Sequence, residues 1–313
     1  IAAAMVVLFH YSTRFPLEFP QSPSLPFRFA AGATGVNLFF AISGFVILMT
    51  LDRTVAAWDF VRARFLRLYP AYWVAVLATA TICLASRSAH LQLSISQVLI
   101  NLTMMQSWLH VPAVDGVYWS LVVEVSFYAV MLLLWRVGAL RHLPWIILGW
   151  LALHIMWGVR PGLSWTIGAV LIVTYIPYFA IGMAFYMLRS GQIGGRMAAF
   201  LLASALGAAA LGAGAGHFMH DVLTTLGCIA IFFAMQRGWL RWLNQPWLLW
   251  LGAISYPLYL VHQNIGFVVM DHLTHAGVPV VAAALAALVL ALALAQGITH
   301  WVERPALRWG KRA

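Results

Sequence analysis

His10, Glu124 and His262 are ionisable residues that stand inside apolar runs of this chain, and their types suit group or proton transfer. His10 closes Met5-Val-Val-Leu-Phe-His10, and an imidazole there can take a hydroxyl proton or carry an acyl group. Its bland role would be a packing histidine satisfied by one hydrogen bond. Glu124 falls in Tyr118-Trp119-Ser120-Leu-Val-Val-Glu124-Val-Ser-Phe127-Tyr128, where Trp119, Ser120, Glu124, Phe127 and Tyr128 recur at three- and four-residue spacing and share one helical stripe. Such a carboxylate must find a donor or stay protonated, and it serves either as a proton carrier or as an anchor between helices. His262 ends Ser255-Tyr256-Pro-Leu-Tyr259-Leu-Val-His262, with Tyr259 three residues earlier on the same face. A charge in hydrocarbon costs on the order of 2.5 to 3.5 kcal/mol on insertion scales, so a membrane protein that keeps such groups usually uses them.

A second chemistry lies in Asp59-Phe-Val-Arg62-Ala-Arg64-Phe-Leu-Arg67-Leu-Tyr69-Pro70. Arg64 and Arg67 are three residues apart on one helical face, where two guanidinium groups can grip phosphates of a donor such as acyl-CoA or anchor the helix to lipid headgroups. In Gly35-Val-Asn37-Leu-Phe39-Phe40-Ala-Ile-Ser43-Gly44-Phe45 the small residues favour close helix packing. His217, His220 and Asp221, and Asp271, His272 and His275, lack a well-spaced third ligand, so no metal is expected.

The elements that carry these groups are membrane helices. The chain is 63% hydrophobic and 8% charged, with a mean hydropathy of +0.89, far from the roughly 25% charged content of soluble domains. The net charge of +10 comes from cations spread through short loops, with no basic face bearing stacking aromatics, so no nucleic-acid partner is implied. Cys83 and Cys228 lie in apolar runs without disulfide or metal spacing. Runs near the ~20 residues needed to cross a bilayer fall at 1–13, 34–51, 68–86, 117–136, 144–158, 164–188, 197–215, 218–236, 248–270 and 279–301. The segment Leu91–Met105 reads as an interfacial helix. An all-α, polytopic membrane protein of about ten transmembrane helices is therefore predicted.

With residue 1 facing the cytoplasm, fourteen of the eighteen Lys and Arg residues fall inside, and only Arg14, Arg28, Arg87 and Arg160 fall outside. That bias predicts ten crossings with both termini cytoplasmic. His10, Glu124 and His262 then lie in the outer half of the bilayer, some 15 Å or more from the Arg pair at ~1.5 Å per residue. The chain opens inside an apolar run without Met, so residues before Ile1 are expected to be missing, and no appended soluble domain is expected after the short tail.

Taken in order, the His10 motif, Gly35-Val-Asn37 with Ser43-Gly44-Phe45, the Arg64–Pro70 motif, Trp119–Tyr128, Ser255–His262 and the closing Glu303-Arg304-Pro305 resemble the bacterial acyltransferase 3 family of membrane-bound O-acyltransferases. The motifs span essentially the whole chain, which implies one transmembrane domain over 1–313. The resemblance implies transfer of an acyl group, usually acetyl, from cytoplasmic acyl-CoA to a hydroxyl of a glycan or lipid-linked acceptor, in a bacterial inner membrane and among membrane lipids. The family's first-helix motif is an Arg, ten residues and a His; its Arg would fall two places before Ile1. Family members often carry Asp where Asn37 stands.

The resulting expectation makes His10 and Glu124 catalytic, with Glu124 orienting His10 or its partner. Arg64 and Arg67 hold the acyl-CoA phosphates, and Trp119, Ser120, Tyr128, Tyr256, Tyr259 and His262 meet the substrates. His10 fits general base and covalent relay equally. Two rivals are a proton-coupled transporter of a lipid-linked sugar or small solute and a non-catalytic membrane partner.

Overall fold

The computed structural model describes residues 1–86, 88, 91–159, 165–212 and 217–312. Arg87 and Arg160, two of the four expected outside cations, lie outside the described residues, as do the ends of the runs 164–188 and 197–215. Every regular element among the described residues is helical. In chain order the principal helices are α1 (Ala2–Phe9), α2 (Gly35–Leu51), α3 (Ala57–Ser86), α4 (Trp119–Arg136), α5 (Leu143–Val159), α6 (Ile176–Arg189), α7 (Gly195–Gly212), α8 (Phe218–Gln236), α9 (Ser255–Val261), α10 (Gln263–His275), α11 (Val280–Ile298) and α12 (Arg304–Arg312).

Among the described residues, seven stretches are long and apolar enough to cross a membrane: Ala30–Leu51, Ala57–Ser86, Gly116–Arg136, Ala139–Gly158, Gly195–Gly212, Phe218–Gln236 and Val280–Gly310. The remaining three predicted runs are helical but shorter or interrupted. Run 1–13 is α1 followed by a π-turn at His10–Arg14. Run 164–188 breaks at Ile172, whose left-handed φ of 49° no helix interior tolerates, and resumes as α6. Run 248–270 breaks at Ile254 and again at His262. The interfacial segment is helical over Ile95–Asn101, capped by the Ser94 hydroxyl, which accepts the Gln97 N–H at 3.1 Å.

The chain divides into two compact units: Ile1–Gly35, Val61–Val122 and Gln245–Ala313 form the first, and Val36–Phe60 with Val123–Asn244 form the second. In the first unit α1 packs on α9 and on a short turn at Ala30–Thr34, and both α9 and α10 pack on α11. The π-turns His10–Arg14 and Thr299–Glu303 each insert an extra residue into a helical turn and rotate the side chains that follow, a device common at functional sites. One begins with His10 and the other ends with Glu303.

The break at His262 frees backbone groups of the helix, and neighbouring side chains bond to the backbone around it. The Tyr118 hydroxyl donates to the Leu260 carbonyl at 3.2 Å, and the Tyr11 hydroxyl donates to that of His262 at 3.0 Å. The Asn264 N–H donates to Asp115 Oδ2 at 3.0 Å. Residue 266 is glycine because the Tyr11 ring occupies the space a Cβ would need.

In the second unit α6 is buried from Ile176 to Met187 and forms the core. Gly44 of α2 lies against the Phe179 backbone and Gly182 of α6 against the Ala41 backbone, so small residues set this close crossing. α7 packs on α5, α6 and α8.

Candidate functional site

His10 and His262 meet inside the first unit. His10 is 9% exposed and His262 fully buried, and His262 Nε2 lies 3.0 Å from His10 Nδ1. His10 Nδ1 is also 2.9 Å from the Val6 carbonyl oxygen one turn earlier. His262 Nδ1 faces two carbonyls of its own helix, Leu258 at 3.1 Å and Tyr259 at 2.9 Å. Phe9 and Phe267 flank the His10 ring at centroid distances of 5.0 and 6.4 Å, and Phe267 in turn packs on the fully buried Phe15 and Phe19. The break after α9 and the π-turn after α1 are what turn the two imidazoles toward each other.

Helix α9 extends the site away from this pair. Tyr256, Tyr259 and His262 follow at three-residue intervals and cover about 9 Å of helix axis, the facing direction turning by about 60° at each step. The Tyr259 hydroxyl lies 2.6 Å from Ser120 Oγ, and both reach the Val117 carbonyl, at 3.0 and 3.1 Å. These two predicted substrate contacts thus hold α9 to the start of α4. At the far end the Tyr256 hydroxyl donates to the Leu68 carbonyl at 2.8 Å, and the Arg67 guanidinium sits 5.5 Å from the Tyr256 ring centroid. Arg67 also forms an ion pair with the buried carboxylate of Glu303. Arg64 lies one turn away on α3, partly buried, and Arg62 stacks on Trp309 of α12 at 5.8 Å. Trp119 is 36% exposed at the start of α4.

Sequence reasoning missed Asp115. This carboxylate is fully buried, just before the span that contains α4, and accepts the N–H of Val117 at 3.1 Å as well as that of Asn264. Burial pushes its pKa up to about 7, against the two hydrogen bonds that favour the ionised form. Its signal was an acidic residue directly before an apolar run, in the capping position of a helical turn. Glu303 was legible only as part of a closing motif, because its partner is distant in sequence.

Glu124, Tyr128 and Ser43 meet in the second unit. The Tyr128 hydroxyl donates to Glu124 Oε1, and the Ser43 hydroxyl donates to the same oxygen at 3.3 Å. The intramembrane carboxylate therefore has its donors, one of them from a residue whose motif had pointed to packing.

Among the described residues no group of three or more His, Cys, Asp or Glu side chains is placed to hold a metal ion. His220 and Asp221 pair at 3.0 Å, and His275 and Asp271 at 3.3 Å.

A family model described as acyltransferase domain, of the acyltransferase 3 type, matches residues 1–300. The chain is similar to exopolysaccharide production protein ExoZ of Rhizobium meliloti (strain 1021), with 29% identity over 310 residues, 91% of this chain and 92% of that protein. No solved structure matches the chain. The family match begins ahead of His10 and runs past His262, so both imidazoles lie within it, and the chain belongs to the acyltransferase 3 family as a multi-pass membrane acyltransferase.

Proposed function

We propose that the protein moves an acyl group, acetyl in the first instance, from acyl-CoA at the cytoplasmic face of a bacterial inner membrane to a hydroxyl of a polysaccharide or its lipid-linked precursor. The observation that carries this reading is the stripe along α9, which leads from Arg67 and Tyr256 to His262 and His10 within one compact unit. Arg64 and Arg67 hold the donor phosphates, with Arg67 tethered by Glu303. The thioester then reaches His10 along the α9 stripe, and the acceptor hydroxyl comes to His10 from the outer face. His10 takes the hydroxyl proton or carries the acyl group. Glu124, held by Tyr128 and Ser43, has a second acid–base role, and Trp119 meets the substrates.

The polysaccharide acceptor is supported by the name of ExoZ, a protein of exopolysaccharide production. Family membership favours group transfer over the proton-coupled transport that the same intramembrane residues would suit. Mass spectrometry of surface polysaccharides and lipids, with and without the intact gene, tests the reading. The expected result is an acyl mass on a glycan that disappears with the gene and with His10→Ala. Identical glycan spectra in both strains would overturn it.

A further inference from the structure

Four contacts determine which ring nitrogens carry protons in the histidine pair. A carbonyl oxygen only accepts, so His262 Nδ1, at 2.9 and 3.1 Å from two carbonyls, must carry a hydrogen. In the neutral ring its Nε2 is then a bare lone pair. His10 Nδ1 lies 2.9 Å from the Val6 carbonyl and 3.0 Å from that lone pair, so it too must carry a hydrogen, shared between two acceptors. One assignment of the neutral rings satisfies all four contacts. It leaves His10 Nε2 unprotonated, on the edge of the ring turned away from His262.

We propose that His262 is the positioning residue and proton partner of His10: the His10 Nδ1–H···Nε2 His262 contact holds His10 in the tautomer whose Nε2 is basic, and His262 accepts the Nδ1 proton when Nε2 gains one. The proposal rests on the acyltransferase reading for its reaction and on the contacts above for its geometry. In the transfer, the acceptor O–H proton passes to His10 Nε2 as the hydroxyl oxygen bonds to the thioester carbonyl carbon. The His10 Nδ1 proton shifts to His262 Nε2, so the positive charge rests on His262, whose Nδ1–H already faces two carbonyl dipoles. Collapse of the tetrahedral adduct breaks the C–S bond. The CoA thiolate takes the proton from His10 Nε2, the Nδ1 proton returns from His262, and both rings end as they began. This is the arrangement by which a second group orients an imidazole base and stabilises its charged form, here with a neutral imidazole in place of a carboxylate. A neutral partner keeps the resting pair uncharged in a buried site, where an unpaired charge is costly.

The test has two arms. In protein carrying ¹⁵N-labelled histidine, both rings are expected as the Nδ1–H tautomer, with the His10 Nδ1 proton shifted downfield by its nitrogen acceptor and moving upfield in His262→Leu. A His10 ring protonated on Nε2 alone would overturn the assignment, whether or not any acyl transfer is seen. In the second arm, His262→Gln keeps an acceptor near the Nε2 position but cannot take a proton. Its kcat should fall on the order of 10²-fold with the donor KM unchanged, because the donor phosphates are held elsewhere. Wild-type turnover in His262→Gln would overturn the proton-partner role, and a rise in KM alone would make His262 a substrate contact. Absence of transfer in the wild-type protein would instead count against the acyltransferase reading and leave the first arm standing.

Discussion

Arg67 of α3 is ion-paired with Glu303 at the end of the second π-turn, and the two partners differ in exposure: 36% for Arg67 and 3% for Glu303. The consequences of removing them differ accordingly. Arg67→Ala leaves a buried carboxylate without its counter-charge and should cost about 3 kcal/mol. Glu303→Ala leaves a guanidinium that reaches water and should cost about 1 kcal/mol. Thermal unfolding in detergent measures both; equal losses would mean that the pair behaves as an exposed one.

Arg64 is the cleaner probe of donor binding, since Arg67 also bears on stability. Arg64→Ala should weaken acyl-CoA binding by about tenfold or more, the loss of a charge-assisted hydrogen bond worth about 1.5 to 3 kcal/mol. Arg64→Lys should recover part of it, because lysine keeps the charge without the paired donors. Direct titration with acetyl-CoA checks this, and unchanged affinity in a folded protein returns Arg64 to lipid anchoring.

Glu124→Gln keeps the shape of the side chain and an oxygen for the Tyr128 and Ser43 hydroxyls. If Glu124 handles protons, turnover should fall on the order of 10²-fold while the unfolding temperature stays close to wild type. The opposite pattern, full turnover with a lowered unfolding temperature after Glu124→Ala, would mark it as an anchor between helices.

Asp115 ties stability to pH. Its carboxyl ionises near the ordinary 3.8 in the unfolded chain and at about 7 in the folded one. Between those values the folded protein binds more protons, so the contribution of this group is full below about pH 4 and declines as pH rises through 7. The unfolding midpoint of the wild type relative to Asp115→Asn should therefore drop between pH 5 and pH 8. A difference that is flat across this interval would mean the carboxyl is ionised throughout.

Reporter fusions at Arg141 and Arg241 should label as cytoplasmic, and fusions at Ser88 and His275 as external, on the cation bias alone. Opposite labelling at either pair would overturn the orientation and with it the cytoplasmic placing of Arg64 and Arg67.

The membrane class, the helical content and the ionisable His10, Glu124 and His262 within apolar runs were legible in the sequence, because bilayer thickness demands long apolar runs and an ionisable residue within one stands out. Helix periodicity also put Tyr259 and His262 on one face, since a face depends only on residues a few positions apart. What tertiary structure decided was pairing. Periodicity assumes an unbroken helix, so it could not foresee the π-turn at His10 or the break at His262 that turn the two imidazoles toward each other. Nor could local spacing find Glu303 for Arg67, or Asn264 for Asp115, because Arg67 on α3 meets the turn after α11, and Asp115 ahead of α4 meets α10, only when the first unit folds. A hydrogen bond is a relation over about 3 Å in space, and the chain distance between its partners leaves no trace in the residues on either side.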